Sequence, residues 1–170
     1  MNKGVNSSID EIISRGNTAM NAQSFKALVD DGDYLVLDVR TPQEYTAASI
    51  PGSWFIGLDG QFAPWVGALI ENIDQKIIFI APHGREEETV TRLARVGYDN
   101  ALGYLDGGIE AWKNAGFETQ QTENVTAQNF IDGLANGSVV NPIDARKPGE
   151  YNSAHVDGVP LHSLDQIHSE

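Results

Sequence analysis

The sequence predicts an α/β fold in which helices cover both faces of a mainly parallel central sheet. Strand patterns alternate with helix patterns along residues 17–118, an order typical of parallel sheets with crossover helices. The run QKIIFIA, residues 75–81, is apolar almost throughout, as a strand buried on both faces requires. A similar order of motifs begins again near residue 125, which adds an incomplete second copy to the fold.

Each helix and strand has its own local signal. Asn21 can cap a helix over residues 22–29, and YLVLDV, residues 34–39, has the composition of the next strand. Pro42 suits the first turn of a short helix. The later elements are an extended SWFIGL, a helix in FAPWVGALIEN, the strand QKIIFIA, a helix in EEETVTRLARVG, the strand NALGYL and a helix in IEAWKNAG.

An internal repeat supports the division of the chain. LDVRTPQEYTAASIPG, which begins at Leu37, is matched without a gap by IDARKPGEYNSAHVDG, which begins at Ile143. In the second copy His155 stands where the first copy has Ser49. The predicted segments are residues 1–16 as an N-terminal helix or the tail of a preceding domain, 17–118 as the first copy, 119–124 as a polar linker, and 125–170 as a truncated second copy.

Composition excludes several function classes. Asp and Glu total 24 against 11 Lys and Arg, and the formal charge of −13 argues against nucleic acid and anionic membranes as partners. The chain has no cysteine, which excludes disulfides, thiolate metal sites and cysteine catalysis within it. The histidines are too irregularly spaced to suggest zinc, and no cofactor is expected. Without a long apolar run, a cytoplasmic location is the default expectation.

Taken together, these motifs resemble a rhodanese homology domain. The matching stretches are LDVRTPQEY through IPG, IIFIAPHGR, ARVGY and LDGGIEAWKNAGFE, and the second copy resembles the start of another such module. IGLDGQFAPWVGAL and GREEETVTRLARVGYDNALGYLDGG are similar, more narrowly, to tandem modules that end certain bacterial proteins with a metallo-β-lactamase-like hydrolase or persulfide dioxygenase in front. The resemblance implies a role in sulfur metabolism, with other domains of the same parent protein as partners.

The resemblance also implies a vestigial active-site loop after the central strand. Active rhodaneses end that strand with a cysteine that carries sulfur as a persulfide, and here the position falls on Ile80 or Ala81. Neither side chain can act as a nucleophile. The vestigial loop comprises Ile80, Ala81, Pro82, His83, Gly84, Arg85 and Glu86. No catalytic residue is therefore assigned, and no sulfurtransferase activity is expected from these residues alone.

Other conspicuous residues are interpreted as structural. Ion pairing should join Asp38 to Arg40 and, in the second copy, Asp144 to Arg146. The remaining assignments are Glu44 in the short helix after Asp38, positive φ at Gly107 and Gly108, and an ion pair of Arg85 with Glu88 and Glu86. The aromatic cluster Trp54, Phe55, Phe62 and Trp65 is expected in the core, although partial exposure would make it a docking surface.

Two functions remain in competition. The first is a non-catalytic scaffold or interaction module within a larger sulfur-metabolism protein. The alternative is a part of a sulfurtransferase, or of a metallo-β-lactamase-fold hydrolase, whose catalytic residues lie outside this segment. Phosphatase chemistry on this fold also requires a loop cysteine and is excluded. The truncated copy should be disordered beyond about residue 125, or cover Val139, Val140, Ile143 and Val156 against another chain, as in a homodimer.

Overall fold

The computed structural model describes residues 8–168, which form two compact units. The boundary between the units follows Thr122, within the stretch predicted as a linker. Residues 1–7 and 169–170, which belong to the predicted terminal segments, lie outside the described residues. None of the helices described is both long enough and apolar enough to cross a lipid bilayer.

A five-stranded parallel sheet forms the centre of unit 1, with the strand order β1-β5-β4-β2-β3. The strands are β1 (Ala19–Met20), β2 (Leu35–Asp38), β3 (Trp54–Phe55), β4 (Ile77–Ile80) and β5 (Ala101–Leu105). Asp38 of β2 pairs in register with Ile80 of β4, so these two strands end at the same level. The predicted parallel sheet with QKIIFIA at its centre is confirmed, whereas β1 was not predicted.

Helices flank the sheet of unit 1 at nearly the predicted positions. They are α1 (Ile9–Gly16), α2 (Ala22–Asp31), α3 (Pro42–Ala47), α4 (Phe62–Leu69), α5 (Glu86–Arg95) and α6 (Gly108–Asn114). The predicted cap of α2 is present, because the Asn21 side chain accepts the Ser24 N–H at 2.8 Å. Ser8 and Glu11 form a capping box at the start of α1.

The side chains of β4 alternate between two hydrophobic cores. Ile77 and Phe79 point into one core and Ile78 and Ile80 into the other, and all four are fully buried. The helices α1, α4 and α5 contribute to the first core, and α2 and α6 to the second. A strand buried on both faces explains the continuous apolar run in the sequence.

Helix α1 docks on unit 1 through a glycine. A Cβ atom placed on Gly16 would lie 2.5 Å from Cγ1 of Val90 in α5, so only a glycine allows this approach without a shift. The Arg15 guanidinium donates a hydrogen bond to the carbonyl of Asp99. The described part of the N-terminal segment is thus a helix docked on unit 1.

Unit 2 contains folded elements rather than a disordered tail. They are α7 (Ala127–Asn136), α8 (Pro148–Ser153) and a 3₁₀ turn at Leu164–Gln166. A parallel bridge joins Asp144 to Leu161, and Val159 is buried. The apolar side chains of Val140 and Ile143 remain 74% and 59% exposed.

Candidate functional site

A cavity of about 380 Å³ opens at the carboxyl ends of β2, β4 and β5. Parallel strands end at one edge of a sheet, and the loops that follow them meet there. The cavity is lined by Arg40, Glu44, Ala81, Pro82, His83, Glu86, Tyr104, Leu105, Asp106, Gly107, Gly108, Ile109 and Glu110. Most of the predicted vestigial loop is thus brought together with residues from β2, α3, β5 and α6.

The two positions proposed for the absent cysteine face different surroundings. The Ile80 side chain is buried in the core beside Ile78. Ala81, the first residue after β4, lines the cavity with its methyl group. Because a methyl group carries no lone pair and no ionisable proton, this position offers no nucleophile.

The loop between β4 and α5 binds its own carboxylate. Glu86 Oε1 accepts a hydrogen bond of 3.1 Å from the backbone N–H of Gly84, which has φ +83°. The Arg85 N–H donates to the carbonyl of Pro82 at 3.0 Å. The expected pairing of Glu86 with Arg85 is not observed, because the Glu86 side chain turns back onto the loop instead. Two amides of the loop are therefore already engaged.

Arg85 is held between two other carboxylates. Its Nε and Nη2 donate to the two oxygens of Glu88 at 2.7 and 3.0 Å, as predicted for Glu88. Its Nη1 donates to both oxygens of Asp59 at 3.0 Å, a contact that the sequence analysis missed. The hydrogen bonds from Arg85 lower the pKa of Glu88. All three nitrogens of the guanidinium thus donate to carboxylates of the protein.

Asp38 and Arg40 form a buried ion pair in the turn that leads from β2 into α3. We refer to this turn and its ion pair as the Asp38–Arg40 arch. Arg40 Nη2 lies 2.6 Å from Asp38 Oδ2 and also donates to the Ala48 carbonyl at 2.7 Å. Burial raises the pKa of Asp38, and the hydrogen bonds from Arg40 counter part of that rise. Glu44 lies in the same turn, where the Thr41 hydroxyl donates to it at 2.6 Å and lowers its pKa. Although Arg40 lines the cavity, Asp38 neutralises it.

The same hydrogen bonds recur in unit 2. Arg146 Nη2 lies 2.6 Å from Asp144 Oδ2 and donates to the Ala154 carbonyl at 2.8 Å. The Tyr151 hydroxyl donates to the Val159 carbonyl at 2.9 Å, as the Tyr45 hydroxyl does to Ser53 at 2.8 Å in unit 1. In unit 2 the arginine of the pair is open to solvent, since Arg146 is 47% exposed and Asp144 13% exposed. The hydrogen bond from Arg146 lowers the pKa of Asp144.

Ser49 and His155, which occupy matching positions in the repeat, differ in burial. Ser49 is fully buried, and among the described residues its hydroxyl finds no hydrogen-bond partner. The ring of His155 is exposed and stacks on Tyr151, with centroids 4.0 Å apart. His155 Nδ1 lies 2.9 Å from the Tyr151 carbonyl, which can only accept, so Nδ1 carries the proton.

Carboxylates dominate the charge of the cavity. Glu44, Glu86, Asp106 and Glu110 line it, and burial raises the pKa of Tyr104, with Glu86 and Asp106 adding to the rise. Asp106 and Glu110 were missed, although they lie on either side of the Gly-Gly turn. Between residues 8 and 168, no group of three or more acidic, histidine or cysteine side chains is placed to hold a metal ion. His83 is an exposed residue at the rim.

The remaining sequence assignments are the Gly-Gly turn and the aromatic cluster. Gly107 and Gly108 have φ +73° and +57° and start α6 directly after β5, so the predicted positive φ is confirmed. The aromatic cluster divides: Phe62 is 2% exposed in the core, whereas Trp54 on the edge strand β3 is 42% exposed.

A parallel sheet with a loop and cavity at the carboxyl end of its central strand defines an open α/β domain. In this fold class, ligands bind at the carboxyl ends of the strands. The chain belongs to the rhodanese-like domain family, whose model matches residues 21–115, more than half of the sequence. It is 30% identical over 89 residues to the thiosulfate sulfurtransferase GlpE of Pseudoalteromonas translucida (strain TAC 125), covering 52% of this chain and 81% of that protein.

Other relatives share shorter stretches or the fold alone. An uncharacterized 16.5 kDa protein of Synechococcus elongatus is 51% identical over 41 residues, which cover 23% of this chain and 27% of that protein. The crystal structure of the Alr3790 protein of Anabaena sp. matches with a TM-score of 0.53 at 18% identity, over 71% of this chain and 90% of that one. Thiosulfate sulfurtransferase from Pseudomonas aeruginosa matches with a TM-score of 0.54 at 21% identity, over 91% of this chain and 35% of that one.

Proposed function

We propose that this chain is a non-catalytic rhodanese-homology module that serves as a scaffold or interaction domain in a larger sulfur-metabolism protein. One observation carries the proposal: where the family's sulfur carrier is expected, the cavity presents the methyl group of Ala81. Sulfur transfer through a persulfide requires a thiolate, and the sequence contains no cysteine.

The groups that could bind an anionic sulfur donor are already engaged. Glu86 occupies the Gly84 N–H, and Glu88 and Asp59 occupy Arg85. Two unit charges about 8 Å apart repel by roughly 0.5 kcal/mol in water. A divalent donor that faces the four carboxylates of the cavity therefore loses a few kcal/mol before salt screening. The negative charge of the cavity disfavours an anionic sulfur donor. It therefore supports the proposal that this chain lacks a donor site as well as the nucleophile for sulfur transfer.

Incubation of the purified chain with thiosulfate and cyanide tests the proposal. The expected result is no thiocyanate above the protein-free blank, with the Pseudoalteromonas translucida thiosulfate sulfurtransferase GlpE as the positive control. Mass spectrometry after exposure to thiosulfate should show no added sulfur. Turnover, or a covalent gain of one sulfur atom, contradicts the proposal.

The alternative is a sulfurtransferase whose catalytic cysteine belongs to a second rhodanese module that begins in unit 2. The recurrence of the Asp38–Arg40 arch at Asp144–Arg146 favours this candidate, since both copies share the same three contacts. The sequence of the parent gene beyond residue 170 distinguishes the two: a cysteine after a further apolar strand supports the alternative, and its absence removes it. The same sequencing, extended upstream, tests the proposed metallo-β-lactamase-like domain.

A homodimer through unit 2 is the partner proposal that follows from the repeat. Ile143 is 59% exposed, whereas Leu37 at the matching position in unit 1 is fully buried. A second copy of the chain can cover this apolar residue together with Val140. Light scattering should show a dimer that Ile143→Asp converts to a monomer, while Ile9→Asp, at a 50% exposed residue of unit 1, leaves the mass unchanged. A monomeric wild-type chain contradicts the proposal.

A further inference from the structure

A second cavity, of about 270 Å³, lies between the start of α4 and the last turn of α5. Its lining combines apolar groups with two guanidinium groups: Gly60, Phe62, Ala63, Pro64, Arg92, Arg95 and Val96. It shares no lining residue with the cavity around Ala81. We refer to these seven residues as the α4–α5 groove. Its volume suits one side chain rather than a cofactor.

The two arginines of the groove differ in their partners. Arg92 Nε lies 3.2 Å from Glu88 Oε1, and its Nη1 donates to the Leu58 carbonyl, so Arg92 is held in place. Arg95 is exposed and forms no ion pair with any carboxylate in the described part of the chain.

An unpaired guanidinium is unusual on a surface with this composition. Acidic residues outnumber basic ones by 24 to 11, so most cations have carboxylates nearby. A position in the last turn of α5 gives Arg95 a favourable interaction with the helix dipole, but that interaction leaves its five N–H donors without an acceptor among residues 8–168. The planar fork of donors is suited to a carboxylate, which it binds through two parallel hydrogen bonds.

The apolar part of the groove continues along the surface. Ile73 is 52% exposed and covers Gly97, where an added Cβ would lie 2.9 Å from Ile73 Cδ1. Gly97 follows Val96, so an apolar strip runs from the cavity towards Ile73. A strip of this kind beside a free cation fits an extended peptide better than an isolated ion.

We propose that the α4–α5 groove binds a segment of another protein in which a medium-sized apolar side chain lies next to a carboxylate. The apolar side chain enters the cavity, and the carboxylate pairs with Arg95. The net charge of −13 does not prevent this contact, because charges more than about 8 Å away are largely screened at physiological salt. The inference rests on the proposed interaction role and gives that role a partner class.

Two pairs of peptides test the groove on the full chain: acetyl-Ala-Leu-Asp-Ala-amide and acetyl-Ala-Asp-Leu-Ala-amide, each with its Asp→Asn counterpart. Amide NMR shifts should move at residues 60–64 and 92–97 with at least one Asp peptide. The Asn peptide should bind roughly tenfold more weakly, as should Arg95→Gln with the Asp peptide. Lys113→Gln on α6 is the matched control and should bind as the wild type does.

Failure of the groove and failure of the proposed function are distinguishable. Equal affinity for Asp and Asn peptides, an unchanged affinity in Arg95→Gln, or the absence of shifts at these residues with millimolar peptide overturns the groove proposal. Thiocyanate formation by the wild-type chain overturns the proposed function. It does not change the result of the peptide-binding experiment at the groove.

Discussion

Arg40 is joined to Asp38 by a pair of side-chain hydrogen bonds, Nη2 to Oδ2 at 2.6 Å and Nε to Oδ1 at 3.0 Å, in surroundings that leave these residues 6% and 0% exposed. The matching pair in unit 2 has the same distances, but its arginine, Arg146, is 47% exposed. The two pairs share one geometry and differ in burial, so they allow the effect of burial to be measured within one chain.

Asp38→Asn should lower the free energy of unfolding of unit 1 by about 3–5 kcal/mol, because it leaves the buried guanidinium of Arg40 without its charge partner. Asp144→Asn should cost much less in unit 2, since Arg146 is 47% exposed and water can solvate it. Urea unfolding measures both: Trp54, Trp65 and Trp112 report on unit 1 by fluorescence, and circular dichroism reports on both units. Equal losses would show that burial does not set the cost.

Acid should weaken unit 1 through Glu44. The Thr41 hydroxyl lowers the pKa of Glu44 below its ordinary value of 4.5, so the resulting stability is present above pH 4.5 and is lost as the pH falls through the lowered pKa. Thr41→Val should return the pKa of Glu44 towards 4.5 and reduce this acid dependence. Thr41→Ser keeps the hydroxyl and is the control. A ¹³C NMR titration of the carboxyl group measures the pKa, and an unchanged value in Thr41→Val contradicts the prediction.

A cysteine introduced at the cavity should be a poor nucleophile. In Ala81→Cys the surrounding carboxylates should hold the pKa of the thiol above the ordinary value of about 8.5. Adding Glu86→Gln should lower it by roughly half a pH unit, from one Coulombic interaction at about 8 Å. The pH dependence of alkylation by iodoacetamide gives the pKa. Asp33 precedes β2 and lies at the amino end of the strand, away from the cavity, so Asp33→Asn should not change the pKa of the thiol.

The contact between Gly16 and Val90 should determine how firmly α1 is docked. Gly16→Ala places a methyl group 2.5 Å from Val90 Cγ1 and should destabilise unit 1 by about 1–3 kcal/mol. In a chain that already carries Val90→Ala, the Gly16→Ala substitution should cost less free energy of unfolding than it does in the wild type. A double-mutant cycle in urea measures this difference. Gly67→Ala is the control, because an added Cβ there meets no atom within 4 Å and favours the helix. Simple additivity of the two substitutions would argue against the contact.

Replacement of Ser49 should be tolerated or beneficial. Its hydroxyl is buried without a hydrogen bond in the described structure, so Ser49→Ala removes a polar group that has lost water and gained no partner. We expect the free energy of unfolding to rise by about 1 kcal/mol. A decrease of similar size in urea unfolding would mean that the hydroxyl has an acceptor in solution.

The features that are local in sequence were the ones that could be predicted. The apolar run of β4 and the cap at Asn21 follow from short patterns, and both were found. The two-residue strand β1 has no pattern of its own, because its place depends on pairing with β5. The ion pair between Asp59 and Arg85 joins residues 26 positions apart, so periodicity could not reveal it.

Burial at the sheet edge was equally difficult to predict. Trp54 and Phe62 are aromatic residues of the same short span, yet Trp54 lies on the edge strand β3 and Phe62 begins α4 and faces the core. The exposure of Trp54 follows from the strand order, which the sequence did not indicate. In the candidate site, likewise, the sequence indicated the loop after β4 but not the residues from β5 and α6 that complete its cavity.

The arch of unit 2 forms beside a single bridge to Leu161 rather than within a complete sheet. All of its characteristic contacts join residues at most eight positions apart, as in the hydrogen bonds from Arg146 to Ala154 and from Tyr151 to Val159. Closing so short a loop costs little chain entropy, so this conformation does not depend on sheet assembly and can form early in folding. The residues of this arch can therefore keep their conformation without a complete sheet around them.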